Sequence, residues 1–223
     1  MTSSWGAPPL VEACCDSVQT ARASQQYGAG RIELCGLGNG GTTPSLGMIM
    51  RCRDALRIPL HVMIRPHTNS FCYDHDDADV MRSDITAMKS LGVDGVVVGP
   101  LQHDHTIHVP QLAELVALAR PMKVAFHRAF DSTRDAMESL EILLGLGVDY
   151  VLTSGHHPTA LAGASTLRAL QTRAGDRLTV LAGGNIRGDT VQQLIAQSRV
   201  REVHARATDP TIVRDVVQAM MKE

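Results

Sequence analysis

Eight short apolar runs punctuate the chain, at 10–14, 31–35, 60–64, 95–99, 123–127, 149–153, 178–182 and 201–204. Most are rich in β-branched residues and apolar throughout, as strands covered on both faces should be. The segments between them carry helix punctuation. Asp16-Ser17 opens the first helix and Gly28 stops it, and Thr43-Pro44 or Ser45 opens the second. A third reads from Asp76 to Ser90 with Gly92 at its end, and Pro110 opens a fourth. Ser132-Thr133 is expected to cap the fifth, the sixth to run from Thr159 to Arg173, Asp189-Thr190 to cap the seventh, and Asp209-Pro210 to start the last. A strand, a helix and a second strand make parallel neighbours. A weak repeat supports the unit: Leu91-Gly-Val-Asp-Gly-Val-Val returns 55 residues later as Leu146-Gly-Val-Asp-Tyr-Val-Leu. Eight such units in 223 residues predict an α/β fold, a single-domain (β/α)₈ TIM barrel over 10–223 behind a flexible tail at 1–9. The rival, an open doubly wound sheet, has no G-x-G-x-x-G after its first strand.

Bulk properties exclude several functions. A formal net charge of −2 gives no reason to expect nucleic acid or an acidic membrane as partner, and 3% aromatics leaves little for base stacking. No apolar run approaches the ~20 residues of a membrane span. The segment MTSSWGAPPL lacks the basic-then-apolar order of a secretory signal. The five cysteines therefore suit a reducing cytoplasm, as packing residues or metal ligands.

In a barrel of this kind the carboxyl ends of the strands carry the function. Here those ends hold Glu12 with Cys14, Glu33 with Cys35, Arg65, Gly99, His127 with Arg128 and Asp131, Ser154, Gly183-Gly184, and His204. Side chains alternate along a strand, so Glu12 and Cys14 share one face, as do Glu33 and Cys35, whereas Cys15 faces the helices. Two neighbouring carboxylates would raise one another's pKa unless a cation lay between them, and Arg65 is the expected cation. Two readings stay open: a structural ion cluster in the barrel mouth, or an acid/base site with Glu12, Glu33 and His127 as catalytic candidates. Arg65, Arg128, Asp131, Ser154, Gly183, Gly184 and His204 would then bind a small anionic ligand, phosphorylated or carboxylated. Cys14 and Cys35 are either soft ligands that suit Cu(I) or small core hydrophobes. Cys52 reads as helix packing and Cys72 as a loop residue. HDHTIH (103–108) matches no tight coordination set and reads as an exposed loop.

The strings LVEACCDSV, GRIELC, GGTTPSLG, HVMIRP, FHRAFD, VLTSG, LAGGNI and EVHA, in this order, resemble the CutC family of copper homeostasis proteins. The resemblance implies a TIM barrel, a cytoplasmic copper role with Cu(I) at Cys14 and Cys35, and a homo-oligomer, dimer or tetramer. Three stretches depart from it. The family's arginine and paired glycines after the third strand read His67-Thr68-Asn69, its Pro-Gly-Gly-Gly turn reads Ala182-Gly183-Gly184-Asn185, and its His-x-Ser-Ala reads His204-Ala205-Arg206-Ala207 with the following long loop missing. An anion pocket shared by the last two strands would be altered accordingly, with Arg206 itself able to bind the anion.

Overall fold

A computed structural model of the chain describes residues 10–36 and 40–222. The tail expected at 1–9 lies outside them. The eight strands are β1 Leu10–Cys15, β2 Arg31–Leu34, β3 Leu60–Met63, β4 Gly95–Val98, β5 Lys123–Phe126, β6 Tyr150–Thr153, β7 Thr179–Gly183 and β8 Glu202–Arg206. They close in sequence order into one parallel barrel, β8 pairing back to β1. Every strand falls within two residues of its expected bounds, because buried parallel strands announce themselves as uninterrupted β-branched runs.

Eight helices ring the barrel: α1 Val18–Gln26, α2 Leu46–Ala55, α3 His75–Leu91, α4 Val109–Ala119, α5 Ala136–Gly145, α6 Ala164–Ala174, α7 Val191–Ser198 and α8 Thr211–Met220. Ser17 and Ser45 cap α1 and α2 through their side-chain oxygens, and Gly92 ends α3 in the left-handed conformation. Two boundaries differ from expectation. Ser132-Thr133 does not cap α5; residues Arg128–Ser132 form a 3₁₀ turn and Asp135 is the cap, accepting from the Met137 and Glu138 amides. The His127 side chain accepts the Ala129 N–H and tightens the chain before the helix can start. The sixth helix begins at Ala164 rather than Thr159, after a turn that brings Gly163 hard against the backbone of Ser154, where no side chain would fit. Among the described residues no helix is long and apolar enough to cross a membrane.

Alternation divides the strands into two cores. Outward residues such as Val11, Ile32, Val62, Val124, Val180 and Val203 pack under the helices. Inward residues make a much smaller apolar cluster around Cys35, Met63, Val97 and Ala125. The remaining interior is charged: Glu12, Arg31, Glu33 and His61 are all buried there. TIM barrels usually fill this space with branched aliphatics. Gly95 at the start of β4 and Gly99 just past its end let the rings of His61 and His127 lie against bare backbone; a Cβ at either position would overlap the ring.

Candidate functional site

β1 and β2 pair with Cys14 opposite Glu33, which sets Cys35 two residues farther along the barrel axis. Cys35 nevertheless swings back, and the two Sγ atoms stand 3.6 Å apart. A disulfide requires ~2.05 Å, so these are free thiols in contact. Gly41, with φ 80°, covers them; a Cβ there would approach the Cys35 Cβ to 2.9 Å. The hydrogen bond with Cys35, then burial, then the charge of Glu33 push the Cys14 thiol well above its ordinary value. Cys15 points the other way, packs near Ser24, and is pushed up to about 12 by burial. Cys52 is buried on α2 and Cys72 sits in the loop after β3, as their positions predict.

Beneath the thiols the two glutamates share a histidine. His204 Nδ1 lies 2.8 Å from Glu12, and its Nε2 lies 3.5 Å from Glu33. The cation expected between the carboxylates is therefore His204 together with Arg31, and not Arg65. Arg31 lies on the inner face of β2, pairs with Glu12, reaches Glu202 at 2.5 Å, and stacks on Tyr150. Arg65 lies past the end of β3, where it donates to the Gly41 carbonyl at 3.2 Å and covers Phe71. Burial would raise Glu12, but Arg31 and His204 outweigh it and hold the carboxyl well below the usual range. Glu33 is raised, by burial foremost, and one of its oxygens has no hydrogen-bond partner among the described residues. Burial opposes the charged form of His204, yet Glu33 and Glu12 together raise its pKa.

Above this network a cavity of about 620 Å³ opens at the carboxyl ends of the strands. Cys14, Cys35, Glu33, Arg65, His127, Arg128, Gly184 and His204 line it; Glu12 does not. Glu12 lies one layer below, so the two catalytic candidates of β1 and β2 are not equivalent: Glu33 faces the cavity and Glu12 anchors His204. His127 is buried against Phe71, and burial, then Arg65, lower its pKa to about 3. Asp131 and Ser154 stand behind the wall as a brace. Asp131 accepts from the Ser154 amide and hydroxyl, the Thr153 hydroxyl, the His156 amide and Arg128. Ser154 also accepts from Arg128 at 2.9 Å. Asp131→Asn turns a donor toward a ring of donors, and is expected to cost about 2 kcal/mol in urea unfolding. Gly183 lies against Leu152, where a Cβ would overlap, and does not line the cavity.

Among the described residues, two groups could hold a metal: Cys14 with Glu33 and His204, and His75 with Asp76 and Asp79 on the exposed start of α3. Asp79 of the second group is already engaged by Arg82. The HDHTIH stretch supplies neither; His103, Asp104 and His105 are exposed, Ile107 is buried in the core, and His108 accepts the Gln111 amide to cap α4. Sequence reasoning missed Arg31 and His61. Both share the inward parity of residues that were singled out, Arg31 that of Glu33 and Cys35 and His61 that of Arg65. Both lie near the start of their strands, away from the carboxyl ends where barrel function is expected.

Residues 9–209 match the model of the CutC family. A copper homeostasis protein cutC homolog of Mus musculus is 44% identical over 199 residues, 89% of this chain and 73% of that one. A family protein CutC of Chromobacterium violaceum is 42% identical over 199 residues, 89% and 81% of the two chains. The crystal structure of a CutC protein from Streptococcus agalactiae superposes with a TM-score of 0.84 at 27% identity, covering 88% of this chain and 97% of that one. The barrel, the family match and relatives above two-fifths identity agree, and the chain belongs to the CutC family, whose members include proteins named for copper homeostasis.

Proposed function

We propose that the chain handles copper as a Cu(I)-binding protein of a reducing, cytoplasmic compartment, with Cys14 and Cys35 as the ligands. The observation that carries this reading is the 3.6 Å contact of two unoxidised thiols at the floor of an open cavity. Soft thiolates select Cu(I), which accepts few ligands, so two sulfurs suffice. The hard carboxylate of Glu33 is a poor third ligand. His204 would have to give up a carboxylate to serve as one. Binding must expel the thiol protons, and the raised Cys14 pKa makes that costlier, so affinity weakens as pH falls.

The test is an anaerobic competition titration with a chromophoric Cu(I) chelator under reducing conditions. The wild type is expected to take one Cu(I) per chain. Cys14→Ser/Cys35→Ser should lose affinity by more than the roughly 10–100-fold that removal of an outer-shell partner costs. Equal affinity in the two proteins would sink the assignment.

A further inference from the structure

The thiols occupy only the β1–β2 side of the cavity. The remaining rim is cationic: Arg65, Arg128, Arg187 and Arg206 all line it, against the carboxylates of Glu33 and Asp16. A Cu(I) site has no use for four guanidinium groups, so this half requires its own account.

The turn after β7 forms part of the wall. Gly184 and Asn185 both have positive φ, 110° and 57°. The amides of Gly184, Asn185 and Ile186 find no acceptor among the described residues. Successive unbonded N–H groups in such a turn make an anion-binding concavity. A Cβ at Gly184 would stand 3.0 Å from the Ser154 Cβ and 3.8 Å from the Arg128 guanidinium carbon, so Arg128 is held beside the bare glycine. The brace from Asp131 and Ser154 fixes it there. An independent observation comes from His127. Its Nδ1 accepts the Ala129 N–H at 3.1 Å, which leaves the proton on Nε2. That Nε2–H is buried in a cavity-lining side chain only 4% exposed and has no partner among the described residues. Buried donors are nearly always satisfied, and one left unpartnered in a residue that lines a cavity marks where a ligand acceptor would complete it.

We propose that the β5–β8 side of the rim is a phosphoryl-binding subsite for a small phosphorylated metabolite. The phosphoryl oxygens would rest on the Gly184, Asn185 and Ile186 amides and on Arg128 and Arg206, while an oxygen of the remaining molecule accepts from His127 Nε2. A phosphoryl group suits this set better than a carboxylate because it offers three acceptor oxygens to three amides and two guanidinium forks. The loops after the seventh and eighth strands are also where barrels commonly hold phosphate. The subsite shares the cavity with the thiol pair, Arg206 lying opposite Cys14 across the β1–β8 ladder, but it uses other side chains and does not depend on the copper reading.

The test uses the full chain in phosphate-free buffer. Thermal melting is followed against inorganic phosphate, glycerol 3-phosphate, malate, and potassium chloride at matched ionic strength, with phosphorus NMR line broadening as a second readout. Saturable stabilisation by both phosphates and not by malate is expected. Arg128→Gln and Arg206→Gln should each weaken it about tenfold, the usual cost of one charge-assisted contact. Arg206 is exposed and makes no ion pair among the described residues, so its unliganded melting point should stay near wild type. Arg128→Gln also gives up the Asp131 and Ser154 contacts, and its phosphate shift is read against its own unliganded melting point. Cys14→Ser/Cys35→Ser should bind phosphate normally, which separates this outcome from failure of the copper site. No saturable shift, equal stabilisation by malate, or unchanged binding in both arginine variants would overturn the subsite.

Discussion

Arg31→Met is expected to destabilise the fold by about 3–5 kcal/mol, the cost of stripping one partner from a buried ion pair. Arg31 sits inside the barrel, pairs with Glu12, reaches Glu202, and stacks 4.4 Å above the Tyr150 ring. Methionine fills much of the volume but leaves the Glu12 carboxylate facing only His204 and, at 3.7 Å, His61. His61 cannot compensate, because burial lowers its pKa to about 4 and keeps it neutral near pH 7. The double variant Arg31→Met/Glu12→Gln should recover at least half of the loss, since replacing both members of a buried pair is far cheaper than orphaning one. Urea unfolding of the two single variants and the double variant closes the cycle. An Arg31→Met protein within 1 kcal/mol of wild type would mean that Glu12 is not held as an ion in the barrel.

This charged interior also marks where sequence reasoning stops. All eight strands could be read, because each is a short run most of whose residues are covered by either helices or barrel, exposed Lys123 and Arg206 lying only at strand ends. Alternation then assigned Cys14, Glu33 and Cys35 to the inner face and Cys15 to the outer, and the structure agrees. What alternation cannot supply is height along the barrel axis. Strand stagger places Cys14 level with Glu33, and puts Arg31 level with Glu12. The partner of Glu12 therefore comes from the beginning of β2 instead of the end of β3. Arg65 lies beyond the last ladder residue of its strand, where the loop backbone decides its direction. Asp131 is a similar case: its partners on the β6 loop are more than 20 residues away, and no local pattern foretells a carboxylate that ties two strand ends together.

Acidification should reveal the two buried neutral histidines. His127 and His61 are lowered to about 3 and about 4. Above the ordinary value of 6.5 both the folded and unfolded chains carry them neutral. Below it the unfolded chain takes up protons first, so the folded state loses stability from pH 6.5 down to about 4 for His61 and about 3 for His127. His204 works in the opposite sense: its pKa is raised, so its contribution is complete below 6.5 and lost only as pH rises through the folded value. It is constant across the acid window. Glu12, lowered, loses its contribution only as pH falls below the ordinary carboxylate value. Glu33, raised, gains a proton early and offsets part of the histidine loss. A difference measurement isolates the histidine. His127→Asn keeps an acceptor for the Ala129 amide and removes the titrating ring. Its stability relative to wild type should improve by about 2 kcal/mol between pH 7 and pH 5, the linkage expected for one such histidine. The Glu33 offset is common to both proteins and cancels. Urea unfolding at the two pH values, in buffer free of phosphate, gives the number. A gap that does not change with pH would mean that His127 is already open to protons in the folded state.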